Sequence, residues 1–117
     1  MKIFDGTLAT LERSLDVRLE RQNVLAANVA NADTPGYVPL DVDFEAAMAR
    51  SPEEAKAGVG APLVVAQGAA AGLDGNAVDL DRAMVALAQN GLQYAASAKA
   101  AGKKLAILRY VASDGAA

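Results

Sequence analysis

Two pairs of carboxylates, Asp41 with Asp43 and Asp79 with Asp81, have the spacing in this chain that most suggests chemistry. Acidic residues placed this closely can serve general acid–base catalysis or ligate a hard cation. Both pairs, however, fall at expected helix starts, where aspartate accepts from unpaired N–H groups and offsets the positive end of the helix dipole. Capping is therefore the reading taken for them. The chain has no histidine and no cysteine. That removes the commonest general base, the imidazole metal ligand and the thiol nucleophile. Ser-His-Asp and Cys-His catalysis are excluded outright. Lys103-Lys104 is too short for a nucleic-acid or lipid patch, and a formal net charge of −3 leaves no basic footprint. Gly91 and Gly102, each costing about 1 kcal/mol inside a helix, read as marks of close helix contact. The expectation is a chain that is not an enzyme, has no catalytic, cofactor or metal site, and binds no nucleic acid or small-molecule substrate.

The elements that would position these residues are helical. Leu8, Leu11, Leu15, Gln22, Leu25 and Val29 follow steps of three and four, with Arg18 in the gap, and predict an amphipathic helix over residues 7–30. Thr7 or Asp5 suits its N-cap. Arg18 and Gln22 interrupt the apolar row, and Leu19 offers a second route, as where a partner changes. Near the C-terminus Leu80, Met84, Leu87, Gly91, Tyr94, Ala98, Ala101, Leu105, Leu108 and Ala112 alternate four and three without a break. At 1.5 Å per residue that is a coiled-coil seam about 48 Å long, within a helix over 76–113 capped by Asn76 or Asp79. Its flanks hold Ala83, Ala88, Asn90, Ala95, Ser97 and Gly102, small or uncharged side chains that let several helices approach.

Between the helices the stretch Asn28-Val29-Ala30-Asn31-Ala32-Asp33-Thr34-Pro35-Gly36-Tyr37 ends one direction and sets another. Pro35 presets φ, Gly36 tolerates the positive φ of a type II turn, and Asn31 and Asp33 compete with helix continuation. Val38, Leu40, Val42 and Phe44 then alternate with polar residues, an edge-like extended arm, since Pro39 cannot donate to a ladder. Asp43 suits the cap of a short helix over 44–50. Residues 52–75 hold two prolines and half of the ten glycines and read as a flexible Gly/Ala/Pro-rich loop, with a short strand possible at 61–66. The turn is expected to aim residues 38–50 away from the two-helix core toward a neighbour.

The whole is one mainly α domain over residues 1–117: two long terminal helices paired as an antiparallel coiled-coil-like hairpin, with residues 31–51 as turn, arm and short helix. Of its hydrophobic residues 28 are alanine, and aromatics make up only 4%. Such a chain has little to bury alone and favours packing against neighbours, a small self-sufficient bundle being the alternative. No apolar run reaches the ~20 residues of a membrane span, and Met1-Lys2-Ile3-Phe4-Asp5-Gly6 lacks the pattern of a cleaved signal peptide.

The run Ala27–Tyr37 resembles the N-terminal signature of the bacterial flagellar rod and hook proteins. Arg21-Gln22-Asn23-Val24-Leu25 before it, Asp41-Val42-Asp43-Phe44 after it, Asn76-Ala77-Val78-Asp79-Leu80-Asp81-Arg82 and Asn90-Gly91-Leu92-Gln93-Tyr94 are similar to the short proximal members of the basal-body rod family. The resemblance implies a structural subunit that polymerises helically into the rod, the drive shaft carrying torque from motor to hook and filament. It implies export through the flagellar type III apparatus without a cleaved signal, and a place in the periplasmic rod. Partners would be further copies, other rod subunits, and a FliE-type adaptor and the export gate at the rod base. Asn28, Asn31, Thr34, Pro35, Gly36 and Tyr37 would shape the signature turn. Leu8, Leu11, Leu15, Leu25 and Val29 would line an assembly seam with Leu80, Met84, Leu87, Tyr94, Leu105 and Leu108. The alternatives are another short rod subunit of the same family, or a soluble helical adaptor or export-chaperone-like module.

Overall fold

The computed structural model describes residues 2–66 and 78–113. Helix α1 spans Lys2–Ala30, β1 Leu40–Val42, α2 Phe44–Ala49, α3 Pro52–Lys56, β2 Leu63–Val65 and α4 Leu80–Ala112. The two long helices pack against each other. Arg18 of α1 bonds Asn90 and Gln93 of α4, while Gln22 bonds Asn90, so rising numbers on one helix match falling numbers on the other. The hairpin is antiparallel.

Helix α1 starts at Lys2 rather than near residue 7, and neither Asp5 nor Thr7 caps it. Gly6 weakens a helix by about 1 kcal/mol without stopping it. The Thr10 hydroxyl donates back to the Gly6 carbonyl at 2.9 Å, the local bond of a continuing helix. Helix α4 begins behind Asp79, whose carboxylate accepts from the Arg82 N–H at 3.1 Å. Asn76 lies outside the described residues. Asp43 caps α2 by accepting from the Ala46 N–H.

The described part of the expected 52–75 loop is not irregular throughout. Ser51 and Glu54 close a capping box around α3, with Pro52 at the first helical position, where its missing N–H costs nothing. The Ser51 backbone N–H, and then its hydroxyl, hold the Glu54 carboxyl below the usual glutamate range. Strand β2 then pairs antiparallel with β1, Leu40 opposite Val65 and Val42 opposite Leu63. Pro39 and Pro62 stand just outside the strands and contribute only carbonyls, which accept from Ala66 and Asp43.

The arm does not leave the helices. Val42 of β1 and Ala47 of α2 are buried against Val17 of α1, with Val24, Phe44, Met48 and Ala61 packed around them. The densest core thus lies where arm meets α1, because this is where branched and aromatic side chains converge. The α1–α4 seam, rich in alanine, has fewer apolar atoms to bury. Helix α1 serves two partners on adjacent rows, Val17, Arg21, Val24 and Asn28 toward the arm and Arg18 and Gln22 toward α4. That division is the reason its apolar stripe drifts.

Candidate functional site

The junction after α1 is built from backbone demand upward. Past Ala30 the last carbonyls of α1 need donors. The Asn31 N–H and its side-chain amide both donate to the Ala27 carbonyl, at 3.0 and 2.8 Å. The Thr34 hydroxyl donates to Asn31 Oδ1 at 3.1 Å. The Tyr37 N–H donates to the Thr34 carbonyl at 3.2 Å across Pro35-Gly36, with Gly36 at φ 77°. Only glycine holds that angle without strain, and its third place in the turn defines type II.

Asn28 ties this turn to the arm. It is 2% exposed, its Nδ2 donates to the Leu40 carbonyl at 2.6 Å, and its Oδ1 accepts from the Leu40 N–H at 3.0 Å. Leu40 belongs to a pair whose backbone groups point away from β2. The Asn28 amide therefore closes the outer edge of β1, presenting one donor and one acceptor as a strand would. The Tyr37 hydroxyl donates to the same Oδ1 at 3.4 Å. Two ion pairs pin the arm further. Arg21 grips Asp41 through two bonds of 2.8 and 3.0 Å, a geometry that raises the arginine's pKa. Asp41 is therefore an ion-pair partner rather than a cap. Arg50 reaches Glu20 at 2.8 Å, and the second Glu20 oxygen accepts from the Ala61 N–H at 2.7 Å.

At the helix crossing the central residue is Asn90, fully buried. Its Nδ2 donates to the Arg18 carbonyl at 2.9 Å and to Gln22 Oε1 at 2.8 Å. Arg18 donates to Gln93 Oε1 at 2.8 Å and lies over the Phe44 ring, 4.6 Å from its centroid. Burial, and then the neighbouring Arg21, lower the Arg18 pKa from the ordinary arginine value. Asn90 Oδ1 and Arg18 Nε are buried without a partner among the described residues. Arg18 and Gln22, which break the apolar row in the sequence, are thus the polar contacts of the pair, and Arg18 joins the helix seam to the arm.

The less exposed face of α4 overlaps the expected seam and extends to one side of it. Ala83, Ala86, Leu87, Asn90, Gly91, Ser97, Ala101, Lys104 and Leu108 are its less exposed residues, and most of them, with Tyr94, step by four and three. Leu87, Tyr94, Ala101 and Leu108 belong to both lines. Leu80, Met84 and Leu105 instead stand about half exposed. On α1, Leu25 is buried and Leu8, Leu11, Leu15 and Val29 are half-buried. No heavy atom lies within 4 Å of where a Cβ would sit on Gly91 or Gly102, so within one chain neither marks a close contact. Gly91, Tyr94, Leu19 and Gln22 line an open pocket of about 250 Å³. Asn90 could have been singled out from the polar gap at Arg18 and Gln22, which asks for a polar partner opposite.

A family model described as "Flagella basal body rod protein" matches residues 8–37, the last third of which is the turn just described. The chain belongs to the flagellar basal body rod proteins. Within that class its relatives are the flagellar basal body rod protein FlgB. The one from Salmonella typhimurium is 36% identical over an alignment covering 86% of this chain and 88% of the relative. Those from Escherichia coli K12, at 35%, and Yersinia enterocolitica, at 33%, align over 82% and 77% of this chain and 85% and 81% of theirs. The protein is a FlgB-like structural component of the flagellar basal body, in the proximal rod.

Proposed function

We propose that the chain is a mechanical rather than catalytic protein that polymerises helically with copies of itself and other rod subunits, forming the shaft that transmits torque. The observation that carries this is the shortfall of burial. Among the described residues only Val17, Leu25, Val42 and Ala47 are buried hydrophobics, while fifteen large ones are exposed. Neighbours that cover α1 and α4 supply the missing burial, and in a head-to-tail assembly the same patches meet different partners at each step. Three of the four carboxylates that might have done chemistry are engaged elsewhere, Asp43 and Asp79 as caps and Asp41 in an ion pair. Leu8, Leu11, Leu15, Leu25 and Val29, with Leu87, Tyr94 and Leu108, line the helix pair. Leu80, Met84 and Leu105 face outward, toward neighbours. At the rod base the contacts are a FliE-type adaptor and the export gate, and the route outward is the flagellar type III apparatus. The test is complementation of a strain lacking its own copy. Deleting residues 1–30 abolishes recovery of the protein in purified basal bodies, and retained incorporation would overturn the reading.

A further inference from the structure

Helix α4 carries a further heptad line that nothing among the described residues covers. Asp81, Val85, Ala88, Leu92, Ala95 and Lys99 step by four and three, and all six are exposed, Val85 by 56% and Leu92 by 72%. Leu92 lies two residues, or about 200°, around the helix from the buried Asn90, so this line occupies the face opposite the α1 seam. Its order is a palindrome in chemistry. Apolar residues hold the middle, an acid one end and a base the other, and each residue has a counterpart at equal distance from residue 90. Among the described residues neither Asp81 nor Lys99 has an ion-pair partner.

The geometry points to a second copy of this chain as the occupant, its α4 laid antiparallel along this face with a two-fold axis at residue 90. That arrangement sets Leu92 over Ala88 of the second copy, Val85 over Ala95, and Asp81 beside Lys99, each contact occurring twice. Large meets small at every apolar level, so the helices approach closely, and both ends are opposite in charge. A parallel pairing would set Leu92 on Leu92 and Asp81 on Asp81. The charges select the antiparallel form. Because a two-fold contact closes on itself, it cannot be the contact that propagates a rod. It defines a soluble dimer distinct from the polymer, and stands or falls apart from the rod reading.

Sedimentation equilibrium of the full chain tests it, with circular dichroism confirming unchanged helix content. The wild type is expected to dimerise reversibly. Asp81→Lys or Lys99→Asp alone turns two attractions into two repulsions and weakens the dimer about tenfold, and the double exchange restores it. Leu92→Ala weakens it by about a hundredfold. In cystine trapping, Leu92→Cys joins Ala88→Cys in preference to itself. A wild type that stays monomeric, a double exchange that fails to rescue, or preferential self-joining of Leu92→Cys would each overturn the proposal.

Discussion

At position 28 one side-chain amide stands in for a neighbouring strand. Removing it leaves the Leu40 N–H and C=O at a buried edge with no replacement, and each such group costs about 1–3 kcal/mol. Asn28→Ala is therefore expected to lower stability by about 2–4 kcal/mol. The Leu40 amide should exchange with solvent as fast as an open loop's, read by native-state hydrogen exchange. Asn28→Asp should not rescue it, since its second oxygen would face the Leu40 carbonyl, an acceptor against an acceptor. Unaltered exchange at Leu40 would dismiss this account. The turn itself is legible in the sequence, because proline and glycine encode φ locally at positions 35 and 36. The partner of Asn28 is not, because it lies twelve residues away across a bend. Asp41 shows the same limit. Its spacing from Asp43 suggests a shared cap, and only the folded arm brings Arg21 to it.

Among the elements, α4 is the expected helix, and its less exposed face shares part of the expected seam. Three lines of four-and-three spacing run along it side by side. Alanine occupies so many positions that apolarity alone cannot choose between them. What chooses is the polar gap at Arg18 and Gln22, filled by Asn90. A buried asparagine at a helix seam fixes register and lowers stability, since its partners compensate its lost hydration only in one alignment. Here Asn90 Oδ1 lacks even that compensation among the described residues. Asn90→Leu should raise the thermal midpoint and also permit α4 to slide. Spin labels at Glu12 and Ala100 would then report a broadened distance distribution in place of a single one. A lower midpoint with one sharp distance would contradict the assignment. The arm tells the complementary story. Its extended character and the Asp43 cap are written locally, but its docking onto Val17 depends on α1 having a second face, which only the drift of the apolar row hints at.

As a whole molecule the protein is long and thin, 64 by 28 by 17 Å, with a radius of gyration of 18.0 Å. A compact chain of this length would have a radius near 13 Å. Little surface is removed from water when such a shape folds, so the dependence of stability on denaturant should be shallow. Urea unfolding of the isolated chain, followed by helix absorption bands, is expected to give a slope below about 1 kcal/mol/M; a steep cooperative transition would show burial that the fold does not contain. The antiparallel hairpin has a mechanical consequence as well. The first turns of α1 lie beside the last turns of α4, so a force drawing the chain out by its N-terminus against its C-terminal helix loads the pair at one end. Contacts then part layer by layer, as in opening a zip, instead of resisting together as they would in shear. The same helices, gripped along their length by neighbours, would be loaded sideways and would hold. Weak to a pull on one end, the hairpin becomes stiff to torsion only in company.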